Sequence, residues 1–212
     1  MMRVPNVAHE SRSWRIREIA PDFTVEDVWA LPATGDADDF QTLLDVMLSL
    51  DPANSGSTAA RVLWRVRDLL GSVLGLGRIS AAVDGGRDDA TGRLPIPGTA
   101  ETSLADRLPE DLRNTVPAHG SGSTPFVPLY RTDDEYAAEL SNRTVHAVMH
   151  LAWVEQTDGR YQGHMAVYVK PRGRFGTGYM AFIKPFRYCV VYPAVMRQIE
   201  NAWNTRPSKP SA

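Results

Sequence analysis

At 212 residues, with 43% hydrophobic and 23% charged side chains, the chain has the length and composition of one soluble globular domain with a substantial core. A net charge of −2 and a pI near 6.2 leave no broad basic face, so no nucleic-acid partner is expected. The single cysteine, Cys189, excludes an intrachain disulfide and a thiolate metal cluster and suits a reducing cytoplasm.

Residues 1–13 read as a flexible leader that lacks the apolar stretch of a secretory signal. One domain is expected over 14–205, followed by a tail at 206–212. Trp14–Ile16 and Phe23–Val25 alternate like strands, with a turn at Pro21-Asp22. The second of these segments ends at Pro32, which suits an edge strand, and period two puts Phe23, Val25 and Trp29 on one face. Two helices follow. Asp38-Asp39 can cap the first, which carries Phe40, Leu43, Leu44, Met47 and Leu48 on one side. Thr58 caps the second, whose stripe runs Val62, Leu63, Val66, Leu69, Leu70, Val73 and Leu74 before Gly75 or Gly77 stops it. Gly75-Leu76-Gly77 follows a helix and lacks a P-loop lysine, so no nucleotide cofactor is expected.

From about 81 to 124 the chain turns rich in Gly, Pro, Asp, Ser and Thr and reads as a long loop, either a solvated insertion or a lid. Within it, ETSLADRLPEDLR predicts a short helix capped by Ser103, with Leu104 and Leu108 facing inward. The segments 126–131, 135–140, 144–155 and 160–170 read as antiparallel strands. Asp158-Gly159 predicts a two-residue turn of type I′. That turn would set Trp153 opposite His164 and Met149 opposite Tyr168. One face would then carry Val145, Ala147, Met149, Leu151, Trp153, Ala166 and Tyr168. The other would carry His146, Val148, His150, Ala152, Met165, Val167 and Val169. Both faces are largely apolar, so this hairpin is covered on two sides or lines an internal space.

The stretch from Phe175 to Trp203 predicts a long C-terminal helix against which the earlier chain packs. Phe182, Phe186, Cys189, Pro193 and Met196 recur at helical spacing on one face, which makes Cys189 a small core residue rather than a nucleophile. Pro185 and Pro193 either bend this helix or, for Pro185, sit harmlessly in its first turn. The apolar run 179–196 holds Lys184 and Arg187, and a central charge costs about 3 kcal/mol on insertion scales, so membrane insertion is not expected.

A strand, two helices, a run of antiparallel strands and a long C-terminal helix form the element order of the helix-grip fold. RVRDLLGSVLGLG, FVPLYRTDDEYAAEL and GYMAFIKPFRYCVVYPAVMRQI together resemble the bacterial DUF2867 family, a family of unknown function. The matching positions are Arg67-Asp68, Leu74-Gly75-Leu76, Gly178, Tyr179, Pro185 and Phe186; Arg187 stands where the family's Pro-Phe-His triplet has its histidine. The resemblance covers roughly 14–80 and 125–205. It implies an α+β fold of START-like type, an antiparallel sheet curled around the C-terminal helix, with two further helices in the N-terminal half. Some members sit behind a nicotinamide-dinucleotide-binding domain, so a redox role here would come only through a separate partner protein.

Such a fold implies a cavity between sheet and C-terminal helix for a small apolar or aromatic ligand. The expected ligand-binding residues are Met149, Trp153 and Tyr168 from the hairpin with Tyr179, Phe182 and Phe186 from the helix. The same side chains would equally fill a closed core. His146 and His150 share a strand face but lie about 13–14 Å apart, too far to hold one metal ion, and no metal site is expected. Each is either a hydrogen-bonded core residue or, as a weak catalytic candidate, a general base. Tyr130, Glu135 and Arg143 either add polar groups at a cavity mouth or are plain surface. The three readings left open are a ligand-binding protein, a cyclase- or hydratase-like enzyme using a cavity histidine or tyrosine, and an interaction module with a filled core.

Overall fold

The computed structural model describes residues 2–50, 103–115, 126–141, 145–171 and 178–206, the last with gaps at 179, 182–183 and 186. The expected helix at 58–74 lies outside the described residues, as do Tyr179, Phe182 and Phe186. In chain order the elements are β1 (Met2–Val4), α1 (Asn6–Glu10), α2 (Ile16–Ile19), β2 (Thr24–Gly35), α3 (Phe40–Ser49), β3 (Val127–Arg131), β4 (Glu135–Ser141), β5 (Val145–Glu155), β6 (Tyr161–Pro171) and α4 (Tyr192–Thr205). The strands form one antiparallel sheet in the order β1-β2-β6-β5-β4-β3, and the architecture is α+β with a C-terminal helix on the sheet. The four strands expected in the last third are all present, each bound within one residue of its expected limits.

Helices cover both sheet faces, and each face has its own core. On the first, α2 with the Trp14 that precedes it and the 103–115 segment bring Trp14, Ile16, Ile19, Leu104, Leu108 and Leu112 against Val28, Val148, Ala166 and Tyr168. On the second, α3 and α4 bring Phe40, Leu43, Leu44, Tyr192, Met196, Ile199 and Trp203 against Trp29, Leu31, Leu151, Trp153 and Met165. Two-sided cover explains why the β5–β6 hairpin is apolar on both faces. Alternation of hydrophobic and polar residues marks a strand with one wet side, and this one has none.

Several expectations are corrected. The segment expected as a leader forms β1, paired with Val28–Ala30 of β2, and α1, whose His9 is 2% exposed. The pairing and the buried ring tie down a sequence too polar to announce either. Trp14–Ile16 leads into α2 rather than forming a strand. β2 runs through Pro32 to Gly35, and Pro32 lies in a register break between Ala30 and Thr34, where no ladder donor is required. A second break between Val25 and Asp27 reverses the alternation, so Phe23 and Val25 face the first core while Trp29 faces the second.

The β5–β6 turn is also longer than expected. Glu155 pairs with Tyr161, the Gln156 amide donates to the Arg160 carbonyl, and Gly159 takes a left-handed φ of 78°. This is the longer hairpin turn that ends in a left-handed glycine, not the two-residue I′ form. The register therefore slips by one residue, to Trp153 opposite Gly163 and Met149 opposite Val167. A slip of one residue turns every β6 side chain to the other face. Ala166 and Tyr168 thus join His146 and His150, and Met165 joins Trp153.

At the C-terminal end, a π-helical turn at Arg187–Val191 precedes α4. Pro193 falls in the first turn of α4, where its missing N–H costs nothing. The wider π turn shifts the helical phase, so the buried stripe is Tyr192, Met196, Ile199 and Trp203, and Cys189 is exposed rather than in the core. The Ser103-capped turn appears as read: the Ser103 hydroxyl accepts from the Ala105 amide, and Leu104 and Leu108 are buried. The helix expected after Asp38-Asp39 is α3. Its entry is a capping box, with the Asp39 carboxylate accepting from the Asp36 amide at 2.9 Å.

Candidate functional site

Four strands and two short helices bring an unusual set of polar side chains into the first core. Glu135 and Glu139 lie four apart on β4, and His146 and His150 lie four apart on β5. In the β4–β5 register Glu135 pairs with Ala152 and Glu139 with Val148, so each glutamate meets the histidine two residues diagonal to its partner. His150 Nε2 lies 3.0 Å from Glu135 Oε2, and His146 Nε2 lies 2.9 Å from Glu139 Oε2. Both pairs are buried, with all four side chains at 8% exposure or less.

Each glutamate also fastens a covering segment to the sheet. Both carboxylate oxygens of Glu135 accept from the Arg15 amide at 3.0 Å, which fixes the start of α2, and Oε2 also accepts from the Tyr130 hydroxyl at 2.9 Å. Glu139 accepts from the Ser103 hydroxyl and, at 3.0 Å, from the Leu104 amide, which fixes the 103–115 segment. The guanidinium of Arg15 then joins the two covering segments through Asp111 at 2.9 Å. Burial alone would push the Glu135 carboxyl up. Its hydrogen bonds from His150, the Arg15 amide and Tyr130 outweigh that and hold it below the usual range. Burial and the Glu135 charge push the Tyr130 phenol far up, so it stays a donor.

Above this layer lies a second. The Asn6 side chain donates to the Val25 carbonyl at 2.7 Å and pins α1 to β2. His9 Nε2 lies 3.1 Å from the Tyr168 hydroxyl, and its ring stacks on Trp14 at 5.6 Å and edges onto His150 at 5.3 Å. Burial, with the His150 ring beside it, lowers the pKa of His9 to about 3, and burial with Arg12 lowers that of His164 to about 4. Tyr168 is pushed up by burial and by Glu135. At neutral pH the contact is therefore between a neutral imidazole and a protonated phenol. His9 Nδ1, His150 Nδ1 and Trp14 Nε1 are buried with no hydrogen-bond partner.

Between α1–α2 and the sheet opens a cleft of about 460 Å³. Trp14, Phe23, Val25 and Tyr168 form its apolar wall, Ala20 and Pro21 close one side, and Glu10, Ser13, Arg17 and Glu18 supply polar groups. Its volume lies within the range of small-molecule sites, about 300–1,000 Å³.

Of the expected ligand-binding residues, Tyr168 lines this cleft. Trp153 and the half-buried Met149 belong to the second core, on the opposite sheet face beneath α3 and α4. His146 and His150 sit behind the cleft, each bound to a carboxylate, and neither lines it. Tyr130 and Glu135, expected at a mouth or on plain surface, are buried at 0% and 4% exposure, and Arg143 lies outside the described residues. Sequence reasoning missed His9, Trp14 and Arg17 because they stand in and just after the segment taken for a leader. The paired glutamates left a signal: two carboxylates and two imidazoles with the same spacing of four on successive strands.

The second face holds a polar centre of its own. Asp27, fully buried, lies 2.8 Å from the Arg187 guanidinium and accepts from the Tyr192 hydroxyl at 2.9 Å and the Trp29 indole at 3.2 Å. Among the described residues no group of three or more histidine, cysteine or acidic side chains has metal-binding geometry, and no helix is long and apolar enough to cross a membrane.

No curated protein and no solved structure matches the chain. A family model described as "Protein of unknown function (DUF2867)" matches residues 19–194. That span takes in strands β2 to β6, α3, the 103–115 segment and the start of α4. The chain belongs to the DUF2867 family.

Proposed function

We propose that this protein binds a small apolar or aromatic ligand in the cleft between α1–α2 and the β2–β6 part of the sheet. The observation that carries this reading is a 460 Å³ space, a volume within the range of small-molecule sites, where Trp14, Phe23, Val25 and Tyr168 meet a lining whose accessible surface is otherwise polar. The ligand enters from the side of the N-terminal helices, on the face opposite α4, rather than between the sheet and the C-terminal helix as in a helix-grip protein. Binding rather than catalysis is favoured because His146 and His150 are tied to glutamates behind the cleft. The exposed, unpaired Cys189 fits a cytoplasmic setting.

Native mass spectrometry of the freshly purified protein, set against its denatured mass, tests the proposal. A co-purifying molecule is expected, and Val25→Trp, which fills the cleft from its half-buried wall, should lose it. Retention of the same molecule by Val25→Trp would place the ligand elsewhere and overturn the reading.

A further inference from the structure

The donors and acceptors around the cleft are unevenly matched. Arg17 lines it, exposed, and its hydrogen bond goes to a main-chain carbonyl, that of Glu10, rather than to a carboxylate. On the same wall the Trp14 indole N–H is buried without an acceptor, and the Arg12 guanidinium lies 5.9 Å from the Trp14 ring. Of the two carboxylates at the cleft, Glu18 is paired with Arg15 at 3.4 Å, which leaves Glu10 as the main opposing charge. A planar guanidinium with spare donors next to aromatic faces suits a ligand that brings a flat ring and its own acceptor oxygens.

We propose that the cleft selects aromatic carboxylates, with the ring against Trp14, Phe23 and Tyr168 and the carboxylate on Arg17. This rests on the cleft reading above and adds the charge of the ligand to it. Of the charged groups lining the cleft, Arg17 favours the carboxylate while Glu10 and Glu18 oppose it, Glu18 being partly offset by its pair with Arg15. Binding should therefore weaken with added salt, as exposed charge pairs do.

The test compares 2-naphthoate with its neutral amide, 2-naphthamide, by titration calorimetry on the full chain, with Trp14 followed by indole NMR. The acid should bind at least tenfold tighter than the amide, Arg17→Gln should remove that preference while leaving amide binding in place, and Arg17→Lys should restore part of it. Equal affinity for acid and amide, with the Trp14 signal shifting for both, would overturn the carboxylate inference and leave the cleft standing. Absence of binding by either probe, with the Trp14 signal unmoved, would overturn the cleft reading and the inference with it.

Discussion

His150 Nε2 stands 3.0 Å from Glu135 Oε2, and that carboxylate is also what holds the Arg15 amide and the Tyr130 hydroxyl. One buried group thus joins β3, β4, β5 and α2. Glu135→Gln keeps an acceptor oxygen and should cost about 2 kcal/mol, the worth of charge-assisted bonds. Glu135→Leu strands the imidazole, the phenol and the amide together and should cost about 3–5 kcal/mol. Urea unfolding of both variants checks the order, and equal losses would show that these bonds carry nothing beyond packing.

Acid should loosen the fold early. The pKa values of His9 and His164 drop from an ordinary 6.5 to about 3 and about 4. The unfolded chain takes up protons near pH 6.5 while the folded chain does not. Their contribution is therefore fully present above that pH and fades as pH falls towards 4 and 3. The slope is about 1.4 kcal/mol per pH unit for each group. Urea midpoints measured between pH 7.5 and 5 should fall, and His9→Gln with His164→Gln should flatten the curve. A midpoint flat across that window in the parent protein would contradict the burial of these rings.

The Asp27–Arg187 pair should behave as a unit. Asp27 is 0% and Arg187 13% exposed, so removing either leaves a buried charge without its partner, at about 3–5 kcal/mol. Asp27→Leu combined with Arg187→Met should recover much of that loss, giving a coupling energy of about 2 kcal/mol in a double-mutant cycle. Additive losses would mean that the ion pair is not what ties β2 to the turn before α4.

Gly159 carries the left-handed φ of 78° that ends the β5–β6 turn. No atom lies within 4 Å of the place a Cβ would take, so a substitution is limited by backbone strain alone. Gly159→Ala should cost about 1 kcal/mol and Gly159→Asn less, since asparagine visits this region more readily. Thermal unfolding of the pair checks the difference, and an alanine variant as stable as the parent would remove the argument.

Much of the fold was legible, because long periodic segments state their own structure. The four strands of the last third, the helix after Asp38-Asp39 and the Ser103-capped turn follow from alternation and capping residues alone. The candidate site was far less legible. Its face assignment depended on whether the Asp158-Gly159 turn holds two residues or more, a choice made by one hydrogen bond from Gln156 to Arg160. The bulge between Val25 and Asp27 moved Trp29 in the same way, without any glycine or proline to mark it. The buried Glu–His pairs were hidden for a different reason. A glutamate in a strand reads as solvent-facing until the register of its neighbour reveals a histidine on the diagonal.

The two walls of the cleft differ in how they are held. Tyr168 stands on β6, a strand hydrogen-bonded to β2 along one edge and to β5 along the other. Glu10 ends α1 and Trp14 precedes α2, helices of five and four residues. Amides of β6 should exchange with deuterium only when the whole domain opens, whereas those of α1 and α2 should exchange through local fraying. An occupant of the cleft would therefore arrive and leave at the pace of the fraying helices, and its presence would be written in slowed exchange at Ala8 to Ile19 while β6 stays silent.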